Sequence, residues 1–356
     1  MKNIGFIANP CSIHDCKWIN RLSIFYNVIV ICPPFNKKNS FLDKHIETYE
    51  ILPNTFPIKN FLKRWYHLFL LKKLVIKKDV DIIHSMYAYP NSFWPDLIKF
   101  KNHIITTRGS DILVDYTTAK DTAEIDPTSK YFLNLFNQSF NNAKSITSTS
   151  YKQMNVINSF VSDNQKTSVI RTGIDVSKFY SILEIQNKDF ENELLFFSPR
   201  SMKPIYNIDI IIDAYFEIKD QIPQSKLALI NDSPGSPYSE SILTKINQLN
   251  LTDSIIVLPS QTSDQMIYWY KNSSAVISIP NSDGTPNSVL EAMLAKRNIV
   301  IGNYDYDQDL FSNLNQLNTN SKSNLAAELI TISKMLNDDI AQKEKNSNLE
   351  ISKLNC

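Results

Sequence analysis

Short apolar, β-branched runs recur along the whole chain, and they constrain its fold more than any other feature. They stand at NIGFIA (3–8), NVIVI (27–31), DIIHS (81–85), HIITT (103–107), SITST (145–149) and TSVIR (167–171). Between them lie longer stretches with helical spacing, such as WINRLSIF and SKYFLNLFNQSF. Strands that alternate with helices pair in parallel, because each crossover helix covers a sheet face on its way back. A second series follows at LLFFS (194–198), KLALI (226–230), SIIVLP (254–259), AVISIP (275–280) and NIVIG (298–302). The fold class is therefore α/β with two parallel sheets, and the polar segment 174–193 is the natural linker.

A chain of 356 residues is long for one core, so two domains are expected, 1–175 and 176–356. The second ends in a helical segment, SNLAAELITISKMLNDD. Lys and Arg total 37 against 36 Asp and Glu, which gives no overall attraction to nucleic acid or any other polyanion. Cysteines at 11, 16, 32 and 356 are too sparse for a disulfide framework, and the opening MKNIGFIA lacks a charged region followed by a long apolar one. A reducing, cytoplasmic setting is expected. No window offers about 18 uncharged apolar residues, so no spanning helix is expected.

Ligands of open α/β sheets bind at the carboxyl ends of strands, so the residues just after the runs matter most. TTRGSDIL (106–113) places Arg108, Gly109, Ser110 and Asp111 on a turn. SPRSMKPIYNID (198–209) carries Arg200 and Lys203 ahead of a helix expected from about Ile208 to Ile218. Those two cations suit either a diphosphate clamp or a solvated loop. IPNSDGTPNS follows a later strand of the same half.

The stretch SDGTPNSVLEAMLA (282–295) packs two acids and a Gly-Thr-Pro-Asn turn around one helix start. Pro286 suits a first helical turn, with Val289, Leu290, Met293 and Leu294 as the buried stripe. Asn287 and Glu291 lie one turn apart on a different face. Side chains tilt toward a helix N-terminus, so Glu291 reaches back to the end where free N–H groups favour anions. Asp283 comes just before the turn. Two acids and backbone donors together suit a ligand with hydroxyls and a phosphate, such as a sugar nucleotide; an ordinary capped surface helix is the alternative.

Residues 59–78 hold seven Lys or Arg and no acid, with Phe61, Trp65, Leu68, Phe69 and Ile76 near one helical face and Lys59, Lys63, Lys73 and Lys77 near another. Such a helix either rests on an anionic bilayer or covers a sheet with its basic face solvated. CSIHDC (11–16) lacks a second Cys or His pair for zinc and reads as a loop. DYDQD (305–309) fails the calcium-loop pattern at Leu310, where glycine is needed. His84 suits a core position or a ligand-facing one. P-loop, nucleophile-elbow and HExxH patterns are missing, which removes support for those chemistries.

Taken together, NPCSIHDCKWINRL, DIIHSMYA, TTRGSDIL, VIRTGIDVSKF, FSPRSMKPIYNIDIIIDAY and SDGTPNSVLEAM resemble, in order, the family-4 retaining glycosyltransferases, or glycosyl transferases group 1. The resemblance covers residues 1 to about 310, and its specific element is the E-x7-E pattern, with Asp283 in place of the first Glu and Glu291 as the second. It implies the GT-B fold: two Rossmann-like domains whose parallel sheets face a central cleft, the first binding acceptor and the second binding nucleotide sugar. It further implies transfer from a nucleotide-diphosphate sugar to a glycan or lipid-linked acceptor, with retention and without a metal or other cofactor. Bacterial surface polysaccharide or glycoconjugate synthesis is the setting it suggests, and a bilayer contact through 59–78, if made, would be on the inner face of the cell membrane. Catalytic roles fall to Arg200, Lys203 and Asp283. Donor contacts fall to Gly284, Thr285, Pro286, Asn287, Ser288, Glu291, Tyr206 and Asn207, and acceptor or cleft contacts to Arg108, Gly109, Ser110, Asp111 and His14.

The chain departs from the family in three places. The R-x4-K-G phosphate element reads R-S-M-K-P-I-Y-N, the active-site His before Gly-Ser-Asp is Arg108, and the N-terminal Gly-rich loop is Asn9-Pro10-Cys11-Ser12. The competing readings are a non-catalytic sugar-nucleotide-binding relative or partner subunit of a transferase, or a nucleotide-sugar epimerase.

Overall fold

The computed structural model describes residues 1–171, 173–174, 176, 179–180, 190, 193–283, 285–304 and 308–336. Two compact units result, Met1–Thr172 and Gly173–Cys356. The first holds β1 (Asn3–Ile7), β2 (Asn27–Cys32), β3 (Glu47–Glu50), β4 (Ile82–Met86), β5 (His103–Thr106), β6 (Ser145–Ser148) and β7 (Thr167–Val169). The second holds β8 (Leu194–Ser201), β9 (Ser225–Ile230), β10 (Ile255–Leu258), β11 (Ala275–Ser278), β12 (Asn298–Ile301) and β13 (Asn315–Gln316). All pairings are parallel, in the orders β3-β2-β1-β4-β5-β6-β7 and β10-β9-β8-β11-β12-β13.

Both units are Rossmann-like. The first strand of each is central, two strands extend to one side, and the fourth begins the other side, so the order reverses between β1 and β4 and between β8 and β11. Alternation along the central strands splits each core in two. Leu194 and Phe196 pack in one cluster with Ile211, Tyr215 and Ile218, while Leu195 and Phe197 pack in another with Tyr270, Val289 and Ala292. Each fully buried aromatic or aliphatic side chain contributes roughly 2 kcal/mol through lost water contact.

Two strands lie outside the apolar runs. Among the described residues, β3 reads ETYE and pairs only with β2, and β13 reads NQ and pairs only with β12. An edge strand gains its ladder from a neighbour and keeps a solvated face, so polar residues serve. The helix Ile208–Ile218 forms over the expected span. Residues 322–336 are helical and bury Leu325, Leu329 and Ile332. Most of the linker 174–193 and the start of DYDQD lie outside the described residues. CSIHDC is only half loop: Ser12 caps a helix, Ile13–Ser23, by accepting from the Asp15 N–H.

The basic segment forms the helix Phe61–Lys77, capped by Asn60, but its apolar residues divide differently from the helical-face reading. Leu71, Leu74 and Val75 face the core with Leu68 against them, whereas Phe61 is 65% exposed, Trp65 60% and Ile76 71%. A helix on a sheet buries one stripe only, and here two aromatic turns fall outside it. No helix among the described residues is long and apolar enough to cross a membrane.

Candidate active site

The second unit brings most of its singled-out residues to the strand-order reversal. β8 pairs with β11 at Phe196 and Phe197, and the ladder ends there, at the strand-order reversal beyond whose carboxyl ends such sheets bind ligands. On the other side, Ser198 opposes Leu229 and Ser201 opposes Ile230, leaving Pro199 and Arg200 as a bulge. Proline has no N–H to give the ladder, and a bulge re-aims the next side chain. Arg200 is that side chain.

Its guanidinium is held on three sides. Nη2 stands 2.7 Å from Asp283 Oδ2. Nη1 donates to Ser288 Oγ at 3.0 Å, and the ring centre of Tyr206 lies 4.1 Å from the guanidinium carbon. The side chains of Arg200 and Asp283 are 12% and 19% exposed, so the ion pair is largely shielded from solvent. Burial by itself would lower the Arg200 pKa; Asp283, helped by Tyr206 and Tyr304, holds it above its ordinary value.

The helix Asn287–Leu294 opens beside this pair. Pro286 is its N-cap, one position earlier than a first-turn proline, and Val289 and Ala292 form its buried stripe; Met293, expected in that stripe, is exposed. The small Ala292 lets the helix approach β12 and β11. Glu291 is half-buried on another face, against the Tyr270 phenol of the helix Ser263–Asn272. Burial drives the Tyr270 pKa up, Glu291 adds to it, and Arg200 pulls it down, so this tyrosine lies near both charges. Arg200, Asp283, Ser288, Tyr206, Tyr270 and Glu291 thus form one cluster. Ser198 Oγ and Asn287 Oδ1, both buried, have no hydrogen-bond partner among the described residues.

Other singled-out residues have different places. Asn207 sits in the left-handed region at φ 54°, at the start of Ile208–Ile218. Its Nδ2 donates to Ile279 O and Asn281 Oδ1, both at 2.8 Å, and its Oδ1 accepts from Asn281 at 3.1 Å. The amide is therefore engaged within the chain. Lys203 is exposed, and no hydrogen bond or ion pair joins its ammonium to the cluster among the described residues. Gly284 lies outside the described residues, and Thr285 and Pro286 flank the helix start. Tyr270 and Tyr304 escaped the sequence reading. Each is one aromatic among many, and only packing reveals which of them meets a charge.

In the first unit, Arg108 follows β5 and reaches back to the helix after β1. Its Nη2 donates to His14 O at 3.0 Å and stands 3.4 Å from Asp15 Oδ1. Burial raises the Asp15 carboxyl and lowers the Arg108 guanidinium, and the attraction between them opposes both shifts. Asp111 is fully buried and accepts from the N–H groups of Ala88, Arg108 and Gly109 at 2.7, 3.0 and 2.9 Å, tying the turn to the end of β4. Gly109 has φ 132°, a conformation suited to glycine. Ser110 Oγ meets the Tyr87 hydroxyl at 2.9 Å, and the His14 side chain is exposed. His84 is buried and bonded to Thr106 Oγ1 at 2.7 Å, which is the core arrangement. Among the described residues, no three His, Cys, Asp or Glu side chains are grouped to hold a metal.

Two units, each built on a parallel sheet in Rossmann order, are the make-up of the fold called GT-B. The model of the glycosyl transferase 4-like family matches residues 3–150, and that of glycosyl transferases group 1 matches residues 182–348. The chain belongs to the GT-B glycosyltransferases. No curated protein matches it in sequence. Among solved structures it is similar to a glycosyltransferase from Rickettsia africae, at 16% identity and TM-score 0.69, over 94% of this chain and 89% of that one. It is equally similar to Anabaena HepE in complex with UDP and glucose, at 16% identity and TM-score 0.69, over 95% and 91%. A sucrose-phosphate synthase from Thermosynechococcus elongatus follows at 15% and 0.69, over 94% and 90%. At such identities the likeness is one of fold.

Proposed function

We propose that the enzyme transfers a sugar from a nucleotide-diphosphate sugar to a glycan or lipid-linked acceptor, with retention of anomeric configuration. The observation that carries this reading is the cluster at the carboxyl ends of β8 and β11, where a fixed guanidinium stands beside two carboxylates and a helix start. Its parts match the parts of such a donor. Arg200 neutralises the charge that grows on the diphosphate as the glycosidic bond breaks, and the exposed Lys203 on the same loop is a second cation for it. Ser288 and the first N–H groups of Asn287–Leu294 favour the same anion. Glu291 takes the ribose hydroxyls, and Asp283 with the segment Gly284 to Asn287 holds the transferred sugar. Fixed positive charge supplies what a metal would otherwise bring to the leaving group, so turnover is expected to persist in a chelator. HepE, solved with UDP and glucose, supports this donor class.

The first unit binds the acceptor in this reading, with Arg108 and the turn 109–111 as its polar edge. A thermal-shift screen of UDP-, GDP- and other nucleotide sugars identifies the donor, since a bound ligand raises the melting temperature. Product analysis follows: transfer gives free nucleoside diphosphate and glycosylated acceptor, an epimerase releases no nucleotide, and a non-catalytic binder gives neither. A screen in which no nucleotide sugar shifts melting overturns the proposal.

The exposed aromatics of Phe61–Lys77 support a peripheral contact with the cytoplasmic leaflet. Trp65 and Phe69 stack at 6.0 Å outside the core, and the surrounding lysines add about 1 kcal/mol each near an anionic surface. Flotation with anionic vesicles tests it; undiminished binding after Lys63, Lys73 and Lys77 are changed to Gln, with Trp65→Ser, discards the helix as anchor. Surface polysaccharide or glycoconjugate synthesis is the process such a placement suits.

A further inference from the structure

We infer that Asp283 is an internal stand-in for the donor's diphosphate, holding Arg200 until the nucleotide displaces it. This rests on the donor reading above and adds a second task for the carboxylate. Arg200 is 12% exposed, and a shielded guanidinium without a counter-ion is costly. The chain supplies the counter-ion itself: Asp283 Oδ2 lies 2.7 Å from Nη2. Meanwhile Ser288 Oγ at 3.0 Å and the Tyr206 ring at 4.1 Å keep the guanidinium in place by contacts that carry no net charge. Anchoring and charge balance are thus divided between different residues. Removing the carboxylate's hold leaves the arginine where it was, with a donor edge uncovered.

A diphosphate oxygen arriving at Nη2 takes the position that the carboxylate holds. Asp283 is then released from its pair and becomes available to the hydroxyls of the transferred sugar. After transfer, the carboxylate competes with the nucleoside diphosphate for the same edge of the guanidinium and assists its departure. The pair therefore lowers affinity for diphosphate on both sides of the reaction, and speeds release of the product.

The test compares Asp283→Asn, Asp283→Glu and Glu291→Gln with the native protein, using UDP, GDP, ADP, CDP and dTDP in calorimetric titrations. Removing a competing, partly shielded ion-pair partner is expected to tighten the preferred diphosphate about fivefold in Asp283→Asn. Asp283→Glu keeps the competing charge and stays within about twofold of native, and Glu291→Gln, which removes a neighbouring acid from outside the pair, brings no tightening. The melting temperature of Asp283→Asn falls without ligand, and its gap to the native protein narrows as both receive the same diphosphate, because the ligand replaces the lost counter-ion. Native binding with unchanged or weaker binding in Asp283→Asn overturns the stand-in role and leaves the donor reading intact. Equal tightening in Glu291→Gln or Asp283→Glu overturns it as well, since it would mark general repulsion or side-chain shape. Absence of any nucleotide binding by the native protein removes the donor reading and this inference together.

Discussion

The side-chain amide of Asn207 donates to the carbonyl of Ile279 at 2.8 Å, joining the start of one helix to the loop that leads into Asp283. The residue also occupies the left-handed region, where an ordinary side chain is strained. Two positioning tasks therefore fall on one asparagine: backbone shape after the Arg200 bulge, and distance to the Asp283 loop.

Replacing Asn207 by Ala removes both tasks. Loss of buried hydrogen bonds costs about 1–3 kcal/mol, to which the backbone strain adds. Thermal denaturation is expected to show a melting temperature lower by several degrees, with Asn207→Gly recovering the strain component alone. A native melting temperature in Asn207→Ala would remove the bridge from the account.

Arg200→Ala is expected to reduce turnover about a hundredfold while raising the donor dissociation constant far less, because its charge matters most when the diphosphate leaves. Single-turnover kinetics beside equilibrium titration separates the two. An unchanged rate of chemistry would end the role of Arg200.

Glu291→Ala is expected to weaken donor binding roughly tenfold or more, as a carboxylate bound to two hydroxyls would. Its helix face lies off the buried stripe of Val289 and Ala292, so the cost in folding stability is confined to its lost contact with the buried Tyr270 phenol. Calorimetry showing equal donor affinity would defeat the assignment.

Gly302 follows β12 at a point where no side chain fits. A Cβ there would stand 2.8 Å from Ile279 Cα and 2.7 Å from Asn320 Oδ1. Backbone cannot yield as a flexible side chain does, so Gly302→Ala is expected to cost about 1–3 kcal/mol and to disturb the loop before Asp283. Denaturant unfolding together with donor titration measures both effects; a fully native variant would show the contact to be slack.

Burial pushes both His84 and His103 down to about 3, well below the unfolded value of about 6.5. As pH falls through about 6.5, the unfolded chain gains protons that the folded chain refuses, so stability present above that point is lost progressively toward about 3. Each imidazole adds up to about 1.4 kcal/mol per pH unit within that window. The raised carboxyls of Asp15 and Asp111 act in the opposite sense, so the telling quantity is the difference between proteins. Melting measured from about pH 7 to about pH 5 is expected to fall less steeply in His103→Asn than in the native protein. Parallel slopes would contradict neutral burial of this residue.

The two sheets were legible because their inner strands are buried on both faces and announce themselves as short apolar runs. The edge strands Glu47–Glu50 and Asn315–Gln316 were not, since their pairing comes from a neighbour and their composition is that of a loop. Arg200, Asp283, Ser288 and Glu291 were legible as a pattern around a strand end and a helix start. Tyr270 was hidden, because the residue that meets Glu291 comes from a helix earlier in the chain, and nothing local distinguishes it.

The sequence alone determined two parallel α/β units, the helix starts and the kinds of side chain at the strand ends, since apolar period, proline and capping residues act over a few neighbours. Tertiary structure decided that Arg200 leaves the ladder at a bulge, that Asp283 rather than solvent balances its charge, and that Asn207 serves as a bridge. It also decided that the aromatics of Phe61–Lys77 remain outside the core. The reason is physical: pattern fixes which face of an element is apolar, while the partner of each polar group depends on where strands separate and which distant elements arrive beside them.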